Sequence, residues 1–304
     1  MTLAPIVLFV YNRPKHTQRV LDSLAANAEA KDSELFIYCD GPKEGANADT
    51  LKRIDDVRTL VKLENRFKKV QIIEQTKNKG LANSIIDGVT EVVNNYGTVI
   101  VLEDDLETSK YFLQYMNDGL IKYQNKDKVI SIHAYCYPLK RMPKENYFIK
   151  GADCWGWATW KRGWDLFNSD SKELLDTLIK QKAINEFNFD NKHNYLQMLK
   201  DQINGKNDSW AIRWYASAFL NNKLTLHPKI SLVRNIGFGS ESTHNKVLNS
   251  FFDINISSNP VYIDDKEIIE SKPMRKEIEK FYRFMNLKIL INTIRNYLKT
   301  KIIR

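Results

Sequence analysis

The first hundred residues alternate between two hydrophobic periods, and that alternation constrains the fold more than any other feature of the chain. Ile6 to Tyr11, Leu35 to Cys39, Val70 to Glu74 and Thr98 to Leu102 are short apolar runs of the kind that form strands buried on both faces. Between them lie apolar residues at helical spacing: Val20, Leu21 and Leu24, then Leu51, Ile54, Val57 and Val61, then Ile85, Ile86, Val89 and Val93. The order β-α-β-α-β-α-β predicts an α/β fold with a mostly parallel sheet flanked by helices and joined by right-handed crossovers. Ligands on such sheets bind beyond the carboxyl ends of the strands. Here those ends are polar: Asn12-Arg13, Asp40-Gly41-Pro42, Asn78-Lys79-Gly80 and Glu103-Asp104-Asp105 are expected along one edge.

Past the fourth strand the pattern loosens. A helix over Phe112, Met116 and Leu120 precedes a strand at Val129 to His133, and a loop-rich zone follows with four of the six tryptophans in Gly151 to Trp164 (GADCWGWATWKRGW). A helical stretch opens at Trp210, Leu224 to Val233 reads as one more strand, and Asn235 to Asn245 (NIGFGSESTHN) reads as a polar loop of the kind that closes over a site.

In Val99 to Ser109 (VIVLEDDLETS) an apolar run meets three consecutive carboxylates. Like charges this close raise one another's pKa unless a cation intervenes. Mg²⁺ and Mn²⁺ prefer oxygen ligands and take one or two carboxylates plus substrate phosphates. Strand alternation would put Glu103 and Asp105 on one side and Asp104 on the other, for as long as the strand persists. The competing reading, caps on the following helix, is better served by Thr108 and Ser109. Neither a Walker loop nor G-x-G-x-x-G follows the first strand. A metal-carboxylate site on a parallel sheet with an aromatic acceptor side suits sugar transfer from a nucleotide diphosphate, the metal stabilising charge on the departing group.

These residues together resemble glycosyltransferases of the nucleotide-diphospho-sugar transferase (GT-A) fold, most closely the N-acetylglucosaminyltransferase I type and bacterial family 2-like enzymes. The similarity runs in islands over residues 4–245. It implies a GT-A domain with a Rossmann-like sheet over residues 1–265, with a nucleotide-binding half to about 105 and an acceptor half beyond. By resemblance Arg13 contacts the nucleotide, Asp40 the uracil, and in Glu103-Asp104-Asp105-Leu106-Glu107 the last aspartate, Asp105, is the direct metal ligand, with Asp104 toward the nucleotide and Glu103 toward the donor sugar. Gly156-Trp157 resembles the loop beside the donor sugar, Asp208-Ser209-Trp210 the segment whose aspartate is the general base, and Pro228 to Gly239 the strand and closing loop after it. The implied reaction is metal-dependent (Mn²⁺ or Mg²⁺) and inverting, from a UDP-linked sugar to an oligosaccharide or lipid-linked acceptor in bacterial cell-surface polysaccharide synthesis, lipopolysaccharide included. The segment from Asp170 to Gly205 has no counterpart in the family's pattern.

Each of these residues also has a plainer reading. Asp208 fits an ordinary helix N-cap, Arg13 a solvated loop charge, and Asp40 the shaping of an Asp-Gly-Pro turn. Tryptophans are core more often than carbohydrate platform. Trp157, in a glycine-flanked loop, is the one expected to touch donor or acceptor, while Trp155, Trp160 and Trp164 are expected to pack. His244 is a candidate metal or diphosphate ligand on the closing loop or an exposed histidine; Glu241 is a candidate donor or acceptor contact, and it and Asp201 are reserve candidates for the base.

The net charge of +9 is unevenly placed: Lys272 to Arg304 holds ten Lys or Arg against Glu277 and Glu279, leaving +1 on the other 271 residues. A nearly neutral body argues against a nucleic-acid-binding protein, whose charge would spread over a face with interleaved aromatics. The tail, residues 266–304, reads instead as a basic amphipathic helix suited to an anionic membrane surface, or as a helix packed on the body. No segment approaches the ~20 apolar residues that span a bilayer, and Cys39, Cys136 and Cys154 show neither disulfide nor zinc spacing. The expectation is a cytoplasmic protein, peripheral on the inner face of the membrane. A rival enzyme reading, a sugar-1-phosphate nucleotidyltransferase, requires a glycine-rich phosphate loop after the first strand that the chain lacks.

Overall fold

The computed structural model describes residues 2–237 and 251–302. Its first half follows the predicted alternation: β1 (Ile6–Val10), α1 (Pro14–Ala25), β2 (Glu34–Cys39), α2 (Ala48–Lys62), β3 (Lys69–Glu74), α3 (Leu81–Tyr96) and β4 (Thr98–Glu103). These strands pair in parallel in the order β3-β2-β1-β4, with Ile6 opposite both Leu35 and Ile100. Alternation along β1, β2 and β4 divides the core between the two faces of the sheet. Ile6, Leu8, Ile37, Ile100 and Leu102 lie on one side, and Val7, Phe9, Tyr38, Val99 and Val101 on the other. β3 departs from the expectation of burial on both faces: it is the sheet edge and its central residues are only half buried.

The second half adds β5 (Leu106–Thr108), α4 (Phe112–Lys122), β6 (Val129–His133), β7 (Tyr147–Lys150), β8 (Trp157–Trp160) and the short α5 (Lys161–Trp164). Next come α6 (Ser171–Lys180), α7 (Ile184–Phe187), α8 (Tyr195–Ile203), α9 (Trp210–Leu220), β9 (Leu224–His227), β10 (Val233–Asn235) and α10 (Lys272–Ile302). One eight-stranded sheet, β3-β2-β1-β4-β8-β6-β9-β7, runs through both halves. It is parallel from β3 to β4 and mixed beyond, because β8 enters antiparallel to both β4 and β6.

Two expectations change here. Leu224 to Val233 is two strands, separated where Pro228, lacking an N–H, cannot continue the ladder, and β10 crosses to pair antiparallel with β5 in a second small sheet. β4 does not persist through the carboxylates either. It ends at Glu103, Asp104-Asp105 form a turn, and the Ile236 N–H donates to the Asp105 carbonyl at 2.8 Å. The acidic pair therefore sits at the corner where the chain leaves the large sheet for the small one, and Asp104 and Asp105 do not face opposite ways.

Candidate active site

The carboxyl ends of β1, β2 and β4 open into a cleft of about 520 Å³, lined among others by Asn12, Arg13, Asp40, Asn78, Glu103, Asp104, Asp105 and Trp155. Pro14 at the start of α1 directs Arg13 across the strand ends. Its Nη1 lies 3.1 Å from Asp105 Oδ2 and 3.5 Å from Asp104 Oδ1. One guanidinium thus faces three carboxylates. Burial, then repulsion from Asp105 and Asp104, raises the Glu103 carboxyl above its ordinary range. Burial, then Asp105, raises Asp104, and Arg13 opposes both shifts only in part. The donor set is hard oxygen with negative charge in excess of its one cation, which fits a divalent ion such as Mg²⁺ or Mn²⁺. Among the described residues no three His, Cys, Asp or Glu side chains form a metal cage, so the fit is to an ion held by one or two carboxylates and completed by phosphates.

Asp40 lines the cleft, but its carboxylate is occupied. Oδ1 accepts from the N–H groups of Gly41 and Lys79, both at 2.8 Å, while Oδ2 accepts from Asn78 Nδ2 at 2.9 Å and the Gly80 N–H at 3.1 Å. Four donors fill the carboxylate's lone-pair sites, so Asp40 holds the Asn78-Lys79-Gly80 wall in place and has little capacity left for a uracil. Glu107 is likewise committed, bridging Arg19 at 3.0 Å and Arg234 at 2.8 Å and thereby tying α1 to β10.

Asp208 stands on the rim. A Cβ placed on Gly80 would lie 3.7 Å from Asp208 Oδ2, which sets the carboxylate beside the cleft wall. The capping alternative for Asp208 does not hold, because Ser209 caps α9 by accepting from the Ile212 N–H. Asp208 keeps a 3.4 Å contact with Arg213 Nη2 and a side chain that is 60% exposed. Asp201 hydrogen-bonds Gln197 within α8 and is not among the cleft residues.

The tryptophan assignment is corrected. Trp157, on β8, is fully buried and packs against Trp210, Trp164 and Trp214 at centroid separations of 5.5 to 5.7 Å. It is core, unable to touch donor or acceptor. Gly156 is also buried; its φ of +63° turns the chain there, and a Cβ would meet Val233 Cγ1 at 2.9 Å. That turn leaves Trp155, expected to pack, as the tryptophan lining the cleft. Asn235 and Gly237, at the start of the loop expected to close over a site, line the cleft from the end of β10. Gly237 packs so closely on the Asp105 carboxylate that a side chain there would collide with it. Glu241 and His244 lie outside the described residues.

A doubly flanked sheet with parallel strands 3-2-1-4 and a carboxylate corner at the end of β4 is the nucleotide-diphospho-sugar transferase (GT-A) architecture. The chain belongs to glycosyl transferase family 2, whose sequence profile matches residues 6–174, more than half of its length; it is a glycosyltransferase. Among similar solved structures is the mannosyltransferase PcManGT from Pyrobaculum calidifontis in complex with GDP-Man and Mn²⁺, 14% identical over 44% of this chain and 36% of that one, with a TM-score of 0.34. Another is S. aureus TarS, 15% identical over 48% of this chain and 24% of that one, TM-score 0.33. A third is glucosyl-3-phosphoglycerate synthase from Mycobacterium tuberculosis with Mn²⁺, UDP and phosphoglyceric acid, 12% identical over 59% and 65% of the two chains, TM-score 0.34. The chain therefore spans less than two thirds of each. No curated protein matches it significantly.

Proposed function

We propose that the enzyme transfers a sugar, with inversion and with a divalent metal, from a UDP-linked donor to a glycan or lipid-linked glycan used in cell-surface polysaccharide. The observation carrying this reading is the corner at Arg13, Asp104 and Asp105, a buried excess of carboxylate at the mouth of a nucleotide-binding sheet. Asp105, with Asp104 close by, would hold Mn²⁺ or Mg²⁺, which would supply Lewis-acid neutralisation of the leaving-group charge. Arg13 orients the carboxylates and adds positive charge where the diphosphate departs. Asp208 takes the proton of the acceptor hydroxyl as that oxygen attacks the anomeric carbon, and the sugar–oxygen bond breaks with its electron pair leaving on the diphosphate. Attack opposite the leaving group turns an α-linked donor into a β-linked product.

The test is thermal stabilisation by UDP, GDP, CMP and dTDP, each with Mn²⁺ or with EDTA, since a ligand bound only to the folded state raises its stability. A shift with UDP that EDTA removes is expected, and no shift with any nucleotide would refute the donor site.

The membrane expectation becomes a narrower proposal. α10 packs on the body through Ile278, Phe281, Tyr282 and Met285. Beyond them Leu287, Leu290 and Ile294 are about half exposed beside Lys288 and Arg295, and no acidic residue follows Glu279. Among the described residues no helix is long and apolar enough to cross a membrane. Lacking acidic partners for a second basic helix, this half suits the surface of an anionic bilayer. The variant L287E/L290E/I294E should lose cosedimentation with phosphatidylglycerol vesicles while melting as the parent does. Equal sedimentation would refute the docking.

A further inference from the structure

A second recess, of about 170 Å³, lies against the donor cleft and shares Trp155 with it as a common wall. Its other walls come from Tyr195 and Met198 of α8, Ile212 of α9 and Tyr282 of α10, with Asp153 as its charged group. Three of these residues belong to parts of the chain that the family resemblance left unplaced: the segment 170–205 and the C-terminal helix.

The polar side of the recess is a directed chain of hydrogen bonds. Tyr137 Oη donates to Asp153 Oδ2 at 2.8 Å, and Tyr282 Oη donates to Tyr137 Oη at 3.2 Å. Tyr195 Oη lies 2.8 Å from Tyr282 Oη. A phenol has one proton, so with that of Tyr282 given to Tyr137, Tyr195 donates to Tyr282. The chain ends on Asp153, whose Oδ1 accepts from the Cys154 N–H at 2.8 Å. Burial opposes ionisation of this carboxyl, but the imidazoles of His133 and His227 and the bonds from Tyr137 and Cys154 outweigh it and keep it below its ordinary value. Among the described residues each oxygen accepts one hydrogen bond, against about four lone-pair sites on a carboxylate, and the side chain is 25% exposed. His133 Nε2, 3.8 Å away, is too distant to fill one.

We propose that this recess is the acceptor subsite, and that it takes a neutral pyranosyl ring whose C–H face meets the aromatic walls while its hydroxyls donate to Asp153. Among the described residues no Lys or Arg lines it, so there a phosphorylated or carboxylated ring would meet only the Asp153 charge. Aromatic walls match the apolar face of a sugar ring, and an acceptor-only carboxylate matches its hydroxyls. The position fits the chemistry as well. Ala211 and Ile212, which line the recess, lie in the first turn of α9, whose N-cap Ser209 directly follows Asp208 in the chain. A ring held there lies at the same end of α9 as the residue proposed to take its proton. This inference depends on reading the neighbouring cleft as the donor site.

Saturation-transfer NMR with methyl glucoside, galactoside, mannoside and N-acetylglucosaminide at tens of millimolar tests it, with the nucleotide thermal shift read on the same samples. At least one glycoside should bind the native protein. Asp153→Asn should weaken it at least tenfold, since bonds to a charged group are the stronger ones, and Met198→Trp, at a partly exposed position on the wall, should abolish the signal without lowering the melting temperature. Glucose 1-phosphate should bind more weakly than methyl glucoside. No glycoside signal, or one that Met198→Trp leaves unchanged, overturns the proposal even if Asp153→Asn fails to fold. A failed donor assignment appears separately, as a missing nucleotide shift in every sample.

Discussion

Asp208→Asn should bind nucleotide and metal as the native enzyme does and lose transfer by about 10²- to 10⁴-fold, the usual worth of a positioned general base. The substitution is nearly isosteric. It keeps a side-chain oxygen for the 3.4 Å contact with Arg213 and leaves Ser209 to cap α9, so neither the helix nor the cleft wall at Gly80 should move. What it removes is the ability to hold a proton. A structural role for Asp208 predicts the opposite pattern, with a changed melting temperature and intact turnover. Measuring transfer and nucleotide-induced stabilisation side by side sharpens the result: loss of transfer with unchanged stabilisation identifies the base, and normal turnover in the variant ends the assignment.

Why the residues at the strand ends were readable as cleft residues and Trp155 was not has a physical answer. Three of the strand ends were legible because β1, β2 and β4 are buried on both faces, which forces continuous apolar runs and makes the first polar residue after each run conspicuous. Arg13, Asp40, Glu103, Asp104 and Asp105 all come to one cleft for that reason. Their roles were less legible. Asp40 is filled by backbone N–H groups of Lys79 and Gly80, about forty residues away, and no local pattern announces such a bond. The turn at Asp104-Asp105 depends on β5 pairing with β10, with Asn235 opposite Leu106. In GADCWGWATW the choice between Trp155 and Trp157 depends on the positive φ of Gly156 and on the pairing of β8 between β4 and β6. Side-chain period alone gives alternating faces but not which face is solvent.

Asp105→Ala should abolish the metal-dependent part of nucleotide stabilisation, and in the absence of metal it should make the protein more stable, by on the order of 1 kcal/mol. The two signs together make the prediction specific. If Asp105 served mainly as an ion-pair partner of Arg13, its removal would destabilise the fold. Here Arg13 retains Asp104, whereas Glu103 and Asp104 lose the neighbour that contributes to raising both of their carboxyls. A carboxyl raised in the folded state binds protons there at pH values where the unfolded chain has released them. The metal-free native protein should therefore lose stability as pH rises from about 5 through the raised values. In Asp105→Ala that slope flattens, because the remaining pair repels less. Urea unfolding at several pH values in EDTA reads both effects, and a variant that is less stable without metal, or that keeps its Mn²⁺-dependent UDP shift, would remove Asp105 from the metal site. The carboxylate corner would then be a cost to folding with no ligand to offset it, an arrangement that a buried strand end has no structural reason to keep.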